Sequence, residues 1–458
     1  MVRIGVIGAI GILALALSAT ETPSPAGSNP YKSVYSFTGG DDGQYPEAGL
    51  ITDGTVLYGT TFGSLDDGAP GKHCAKSCGN IYSVSDLTGN PVAQSVHSFQ
   101  AGENDGAFPA SEPVLSNDIF YGTTEYGKST GCGGLGCGTV YEFSSATGHE
   151  KTITFCRLAD CADGVFPHAG LTAVGSDYYG TATLGGKGTG WLCGSAWGGC
   201  GVVYKVTSPT LTPIYSFCSV VQNNICTDGA VPYSGMVADE QGNLYGTTEF
   251  GGTYGQGTIF KLTPGGIETV LYSFCKQPQC ADGEMPTGGL TFYNGDLYGT
   301  TRYGGLPNCD QNPGCGVVFK LSLNDLSYTP LYTFQGNSHG DGALPEATLW
   351  SDGLGNLYGT TFRGGGGACV RGKVPQGCGI LFRLAVTGGS PTILHAFHKV
   401  RTDADGAHPQ GALIYLNGLL YGATLDRGEV PNKNNPPCEC GTVYAYDIGP
   451  TKEQRRQN

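Results

Sequence analysis

Charged side chains are scarce in this chain, and basic ones are scarcest. Asp, Glu, Lys and Arg together make up 14% of 458 residues, and 38 acidic residues against 24 basic ones leave a formal net charge of −14. Binding to nucleic-acid phosphates requires a basic surface, so this class of protein is excluded. The same acidic balance is compatible with cation binding or with simple solubility.

Several motifs and patterns are also missing. No segment shows a convincing 3.6-residue apolar period, which argues against a helical fold. There is no H-E-x-x-H, so the common metalloprotease signature is absent. Beyond the first twenty residues, no apolar run is long enough to span a membrane.

The N-terminus has the pattern of a secretory signal peptide. Arg3 precedes an apolar run over residues 4–17, and the small residues Ser18 and Ala19 follow it. A transmembrane anchor is the alternative, but the run is short for one. We expect residues 1–19 to be removed, residues 20–30 to form a linker and residues 448–458 to form a disordered tail. The mature protein is then secreted or periplasmic, with no membrane span after cleavage.

Glycine, by contrast, is abundant, with 78 residues that show no collagen-like period. The glycines recur at fixed places within an internal sequence repeat. Each copy contains an apolar segment ending in Phe, an Asp-Gly turn, a Pro, a short apolar segment, a Tyr-Gly step and a Gly-rich loop. The Asp residues of the turns are Asp42, Asp105, Asp163, Asp228, Asp282, Asp341 and Asp405. The Tyr residues of the Tyr-Gly steps are Tyr58, Tyr121, Tyr179, Tyr245, Tyr298, Tyr358 and Tyr421.

Four short β-branched and aromatic segments per copy predict four strands, which we name A to D in chain order. In the first copy they cover 49–53, 57–61, 81–85 and 95–99. Seven such units predict an all-β fold, a seven-bladed β-propeller over residues 31–447, with an open solenoid as the alternative. The chain starts with a D segment ("KSVYSF") and ends with a C segment ("GTVYAYD"). We therefore expect the N-terminal strand to complete the last blade and close the ring.

The repeated order of "VYSF", Asp-Gly, Pro, "AGLI", "LYGTT" and "GTIFKL" resembles the GloVer-type tandem repeat family of exported bacterial proteins. The resemblance covers nearly the whole mature chain. It implies an exported protein, and members often carry a C-terminal sorting anchor, which we do not recognise here. The family has no established activity, so the resemblance implies no reaction.

The eighteen cysteines occur as close pairs, and a loop copy has two of them or none. A pairwise pattern predicts disulfides. Zinc binding is the alternative, but the spacings scatter and no pair has a fixed His partner. Cys438–Cys440 is doubtful, because a Cys-x-Cys ring is strained. The pairs in B–C loops are Cys74–Cys78, Cys132–Cys137, Cys193–Cys200, Cys309–Cys315, Cys369–Cys378 and Cys438–Cys440. The pairs in D–A loops are Cys156–Cys161, Cys218–Cys226 and Cys275–Cys280.

The B–C and D–A loops should share one face of a propeller, which makes that face the candidate binding surface. Its Asp-Gly turns have two interpretations: structural capping, or seven equivalent sugar or Ca²⁺ sites. We favour capping, and we expect no cofactor and no resident metal, with Ca²⁺ kept as the alternative ion.

Two positions vary within the repeat and could surround the channel mouth. After the Tyr-Gly-Thr-Thr step stand Phe62, Glu125, Thr183, Glu249, Arg302, Phe362 and Leu425. After the Pro stand Glu47, Ala110, His168, Tyr233, Thr287, Glu346 and Gln410. We select Glu125, Glu249, Arg302, His168 and Tyr233 as candidate ligand-binding residues, and the carboxylates could act as acid and base if they came close together. The alternative is that these side chains are simply solvated at the rim and have no binding role.

Aromatic residues in the Gly-rich loops are further candidates. Trp191 and Trp197 flank Cys193 and could stack on sugar rings, or they could be buried. The loop of the fourth copy has no cysteine, and we expect Glu249, Phe250 and Tyr254 to mark a low part of the rim there.

These features favour a monomeric, disulfide-stabilised binding module for a glycan or cell-surface polymer. One alternative is a polysaccharide hydrolase or lyase with its site at the channel mouth. The other is a structural protein of the cell envelope.

Overall fold

The computed structural model describes residues 29–450 except 64–73, 75–76, 102–104, 128–130, 189–192, 194–197, 311, 367–368, 372–373, 399–404 and 427–439. The predicted signal peptide lies outside these residues, as does most of the predicted tail. Seven antiparallel sheets form the seven blades of a β-propeller, each with four strands in the order A-B-C-D, and the sheet of blade 7 contains one further short strand. The predicted fold class is therefore confirmed.

The strand bounds follow the repeat closely, and strand B of the first blade has the predicted bounds. The A strands are Ile51–Thr52, Val114–Ser116, Thr172–Val174, Val237–Ala238, Thr291–Tyr293, Trp350–Ser351 and Ile414–Leu416. The B strands are Leu57–Thr61, Ile119–Thr124, Asp177–Ala182, Leu244–Thr248, Asp296–Thr301, Asn356–Thr361 and Leu419–Asp426. The C strands are Asn80–Ser85, Thr139–Ser144, Val202–Thr207, Thr258–Leu262, Val317–Ser322, Ile380–Ala385 and Thr442–Asp447. The D strands are Val92–Ser98, His149–Thr154, Thr210–Ser216, Glu268–Ser273, Tyr328–Thr333, Thr392–Ala396 and, for blade 7, Tyr31–Ser36.

The loops contain only short elements. Ala407–Pro409 pairs with strand B of blade 7. The two-residue strands form the pairs Gly106–Ala107 with Tyr126–Gly127, Val221–Gln222 with Ile225–Cys226, Gly342–Ala343 with Arg363–Gly364, and Val370–Arg371 with Val374–Pro375. The 3-10 turns are Cys132–Gly134, Ala159–Cys161, Pro278–Cys280 and Asn337–His339. Over the described ranges, no helix is long and apolar enough to cross a membrane.

The glycine of each Tyr-Gly step is required by a ring on the neighbouring strand. Gly59 pairs with Tyr82 on strand C, and a Cβ added at Gly59 would lie 2.5 Å from the Tyr82 hydroxyl oxygen. Gly180 has the same relationship to Tyr204, at 2.3 Å. Any side chain at this position would displace a fully buried aromatic ring.

Each D strand leads into a buried Phe that packs edge-to-face on the strand C ring of the next blade. The seven pairs are Phe37–Tyr82, Phe99–Tyr141, Phe155–Tyr204, Phe217–Phe260, Phe274–Phe319, Phe334–Phe382 and Phe397–Tyr444. Their ring centroids lie between 4.9 and 5.3 Å apart. The core of the propeller is therefore a series of equivalent interfaces between blades.

The N-terminal strand closes the ring. Tyr31–Ser36 pairs antiparallel with Thr442–Asp447 and supplies strand D of blade 7. Phe37 then makes the interblade contact with Tyr82 that every other D strand makes with its neighbour. This confirms the predicted closure and rules out the open solenoid.

Candidate functional site

The inner ends of all seven blades surround a cavity of about 360 Å³. The residue after the Pro lines it in every blade: Glu47, Ala110, His168, Tyr233, Thr287, Glu346 and Gln410. A second cavity of about 340 Å³ shares Glu47, His168 and Tyr233 with the first and adds Phe62, Glu125, Thr183, Leu184, Val231 and Glu249. The two variable positions of the repeat thus meet around one channel mouth.

A backbone framework holds this mouth in place. The N–H after the Tyr-Gly-Thr-Thr step donates to the carbonyl of the residue before the Pro, as from Glu125 to Phe108 at 3.0 Å. The residue before the Pro in turn donates to the preceding blade, as from Phe108 to the Cys78 carbonyl at 2.7 Å. Phe108 takes a left-handed φ of 61°, which a bulky residue rarely adopts. Such strain persists only where the surrounding contacts determine the conformation.

Four carboxyl groups from different blades converge at the mouth. Burial, with added repulsion from Glu125 and Glu346, raises the pKa of Glu47 to about 8. Burial raises the pKa of Glu125 to about 7, although a hydrogen bond to the side chain of a neighbouring Tyr lowers this pKa in part. The pKa values of Glu249 and Glu346 are also raised by burial, although Arg302 opposes the shift in both. Each side chain is partly exposed to the cavity but has protein on most other sides, so the charged form is poorly hydrated.

Arg302 lines the first cavity and is the stronger of two Arg side chains that lower the pKa of Glu346, the other being Arg363. Its Nε lies 3.0 Å from Glu346 Oε1, an ion pair without hydrogen-bond alignment. The guanidinium also lies over the Tyr303 ring, 5.3 Å from its centroid. The pKa values of all four carboxyl groups remain raised despite these charges, so shared protons or a bound cation would relieve the repulsion that remains.

His168 and Tyr233 form a polar aromatic pair in adjacent blades. Tyr233 Oη lies 2.8 Å from His168 Nε2, and the rings stack with centroids 3.9 Å apart. Burial lowers the pKa of His168 to about 4, so its imidazole is neutral at physiological pH. Burial raises the pKa of Tyr233, and the four surrounding carboxyls raise it further. The pair therefore presents neutral hydrogen-bonding groups among acidic ones.

The structure brings together five of the candidates selected from the sequence: Glu125, Glu249, Arg302, His168 and Tyr233. Glu47 and Glu346 complete the cluster. Both occupy the variable position after the Pro of the repeat, and this position could have identified them as candidates from the sequence. Two other candidates lie elsewhere. Phe250 packs against the core between blades 3 and 4, and Tyr254 is 45% exposed at the loop tip. Trp191 and Trp197 lie outside the described residues.

Comparison with known proteins identifies the repeat. The model of the Gloeobacter/Verrucomicrobia repeat matches residues 186–444, more than half of the chain. The chain belongs to this family. No curated protein sequence matches it.

Several solved structures are distantly similar to this Gloeobacter/Verrucomicrobia repeat protein. A luciferin-regenerating enzyme is 12% identical over 89% of this chain and 94% of its own, with a TM-score of 0.39. A Trypanosoma rangeli sialidase is 10% identical over 88% of this chain and 54% of its own, with a TM-score of 0.41. A putative 6-phosphogluconolactonase from Bacteroides fragilis is 14% identical over 87% of this chain and 99% of its own, with a TM-score of 0.44. These values indicate distant likeness and carry no functional argument.

The Asp-Gly turns of the repeat are held by their own loops. Asp42 Oδ2 accepts from the Thr38 N–H at 2.7 Å and from the Tyr35 hydroxyl at 2.9 Å. Asp282 Oδ2 is bonded in the same way, by Lys276 N–H at 3.0 Å and Tyr272 Oη at 2.7 Å. Hydrogen bonds of this kind are what the predicted capping role of the Asp residue requires.

Eight cysteine pairs are disulfides, with Cα atoms 4.0 to 5.4 Å apart. They are the predicted pairs except Cys438–Cys440, because Cys438 lies outside the described residues. Disulfides in this number fit an oxidising compartment.

The loop of the fourth copy has no cysteine. Gln256 stands in place of the second cysteine, and its backbone carbonyl accepts the N–H of Met285 at 2.9 Å. The N–H of Gly257 donates to the carbonyl of Gly251 and so closes the short loop. A side chain adds to these backbone bonds, because Ser273 Oγ accepts from the Thr253 N–H at 3.2 Å, so the loop holds its shape without a disulfide.

Proposed function

We propose that the channel mouth binds a neutral or amino-bearing saccharide unit of an extracellular polymer. The observation that carries this proposal is the convergence of four carboxyl groups from separate blades on two cavities that share Glu47 at the channel mouth. Carboxylates accept hydrogen bonds from sugar hydroxyls, and protonated carboxyls donate them. Perturbed pKa values grouped in a concave site are typical of a functional site rather than of a solvated rim.

The charge of the mouth selects among saccharides. An amino group would be attracted to Glu47, Glu125 and Glu249, and its binding would lower their raised pKa values. A uronic acid would bring a further negative charge into a site where carboxyls already repel one another. Arg302 could receive such a group only by giving up its ion pair with Glu346. We therefore infer a preference for amino sugars, then neutral sugars, over uronates.

The cellular setting follows from the same proposal. The signal-peptide pattern of residues 1–19 and the eight disulfides support a secreted or periplasmic protein. A site on the axis of a closed ring is complete within one chain, which supports a monomeric binding module.

The test is calorimetric titration with matched oligosaccharides: chitosan, chitin and polygalacturonate oligomers. We expect affinity to fall in that order. Glu125→Gln and Tyr233→Phe should each weaken the binding of chitosan oligomers about tenfold or more, as expected when one hydrogen bond to a charged group is lost. Glu240→Gln, an exposed carboxylate outside both cavities, is the matched control and should bind normally.

Equal binding by Glu125→Gln and the wild type would place the ligand elsewhere and contradict the proposal. Binding of polygalacturonate alone would reverse the charge argument. No binding of any polymer would leave the structural envelope role as the better account.

A second candidate function is hydrolysis of the bound polymer, and one observation favours it. With a pKa of about 8, Glu47 is protonated at neutral pH and could donate a proton to a leaving glycosidic oxygen. Glu249 or Glu346 could supply the carboxylate, as nucleophile or as base for water. Release of new reducing ends, lost in Glu47→Gln, would support hydrolysis, and an unsaturated product would indicate a lyase. Binding without product formation would exclude both.

A further inference from the structure

A second cluster lies on the outer strands, away from the channel mouth. Two residues before the D-strand Phe, four copies carry a Tyr whose hydroxyl donates to the Asp of the following Asp-Gly turn, at 2.7 to 2.9 Å: Tyr35, Tyr215, Tyr272 and Tyr332. Two copies carry a His instead, His97 and His395. The substitution places a metal-binding type of side chain beside a carboxylate.

At His97 a second carboxylate completes a three-residue group. His97 Nε2 lies 3.7 Å from Asp105 Oδ1 and 3.4 Å from Glu150 Oε2. Four ligands at about 2.1 Å from a tetrahedral zinc ion would stand about 3.4 Å apart. The two distances from His97 are thus near those of ligands that share one ion, and all three ligand atoms lie within 4.8 Å of one another.

We propose that His97, Asp105 and Glu150 bind a zinc ion, with water as the fourth ligand. His97 Nε2 makes no hydrogen bond within the described residues and is buried. The three side chains are only 13 to 15% exposed, so the group is largely shielded from solvent.

The surroundings orient these ligands. Asp105 Oδ1 accepts the N–H of Gly106 at 2.7 Å, and Asp105 Oδ2 accepts the N–H of Gln100 at 2.7 Å. The imidazole of His97 packs against Phe99 and Phe143, with centroids 4.7 and 4.5 Å away. Fixed ligand orientation of this kind raises metal affinity.

The proposed ion has a clear structural role. His97 belongs to strand D of blade 1, Asp105 to the D–A loop that follows, and Glu150 to strand D of blade 2. The D–A loop that contains Asp105 has no cysteines, whereas the loops after strands D of blades 2, 3 and 4 each have a disulfide. The zinc ion would link two blades where no disulfide stabilises the loop.

The chain contains a matched control. His395 Nε2 lies 3.2 Å from Asp405 Oδ2, at the same place in the repeat. The position of Glu150 is taken there by Tyr31, whose ring stacks on His395 at 3.7 Å with an interplanar angle of 6°. Since a Tyr stacked on the imidazole face supplies no second carboxylate, the His395 group should not bind zinc.

The experiment is a Zn²⁺ titration of the untagged mature protein after treatment with a chelator, followed by calorimetry, with Co²⁺ as a spectroscopic probe. We expect one high-affinity ion and a visible spectrum typical of tetrahedral Co²⁺. His97→Tyr, which introduces the residue used by four other copies, and Glu150→Gln should each weaken binding by about 100-fold or more, because each removes a direct ligand and loss of a mere supporting partner already costs about 10- to 100-fold. His395→Tyr should leave the affinity unchanged.

Circular dichroism and the thermal midpoint show whether each variant is folded. Because His97→Tyr restores the common residue of the repeat, it should fold. Absence of high-affinity Zn²⁺ binding would overturn the proposal and leave His97 as the partner of two carboxylates in an ion pair. Binding that His97→Tyr and Glu150→Gln leave intact would equally overturn it, because the ion would then lie elsewhere.

Discussion

The rings of Phe37 and Tyr82 pack edge to face, with centroids 4.9 Å apart and an interplanar angle of 75°. Phe37 follows the first strand of the propeller, and Tyr82 belongs to the first blade. The contact is the closing one of seven equivalent interfaces. Ring closure is thus achieved with the same side-chain packing that joins every other pair of blades.

Phe37→Ala should therefore destabilise the protein as much as Phe217→Ala, which removes the same contact inside the ring. We expect a loss of about 3–5 kcal/mol in unfolding free energy for each, from lost burial and the cavity that remains. Urea unfolding followed by circular dichroism measures it. Phe292→Ala, at a 38% exposed ring, is the control and should cost far less. A Phe37→Ala protein as stable as the wild type would mean that closure is not cooperative.

Gly180→Ala should also destabilise the propeller, because the new Cβ would meet the Tyr204 hydroxyl at 2.3 Å. We expect about 1–3 kcal/mol, the range for overpacking in a core. Gly265→Ala, in an exposed turn where a Cβ would make only an ordinary 3.8 Å contact with Thr263 Oγ1, is the matched control and should be nearly neutral. The thermal midpoints of the two variants give the comparison. Equal midpoints would remove the packing explanation for the Tyr-Gly step.

Glu47 should make the protein less stable as the pH rises. Burial, Glu125 and Glu346 raise its pKa from 4.5 to about 8, so between these values the folded state holds a proton that the unfolded state has lost. Its contribution to stability is present below pH 4.5 and is lost by about pH 8. Unfolding free energies measured between pH 5 and 9 should fall less steeply in Glu47→Gln. Glu240→Gln should retain the wild-type slope, and an unchanged slope in Glu47→Gln would contradict this prediction.

Arg302→Ala should destabilise the protein at pH 7 because Glu346 would lose its counterion. We expect about 1–3 kcal/mol, less than for a fully buried pair because Arg302 is 35% exposed. The double variant Arg302→Ala/Glu346→Gln should regain most of this loss, since no buried charge is left unpaired. A double-mutant cycle from urea unfolding measures the coupling. Additive losses would show that the two side chains act independently.

Peptide mapping of the unreduced protein should find the eight described disulfides within single loops. It should also find Cys438 linked to Cys440, which the sequence pattern predicts. The cysteine-free loop of the fourth copy should give the same peptides before and after reduction. Free thiols in most loops, or links between distant loops, would contradict the pairing.

Strand number, strand order and ring closure could be predicted from the sequence because they depend on local patterns that occur seven times. The pairs of cysteines could be predicted for the same reason, since each disulfide joins residues within one short loop. The residues after the Pro and after the Tyr-Gly-Thr-Thr step could be selected as rim candidates, because they vary where the rest of the repeat does not.

The sequence by itself determined the repeating blade and the closed ring, because alternating apolar residues and turn residues act over a few positions. The tertiary structure alone decided that Glu47 shares one cavity with Glu346 and an adjoining one with Glu125, since the three lie far apart in the chain and meet only at the channel mouth. It likewise decided that Glu150 approaches His97 from the next blade. Burial and mutual repulsion then shift the pKa values, and these depend on distances that no local pattern specifies.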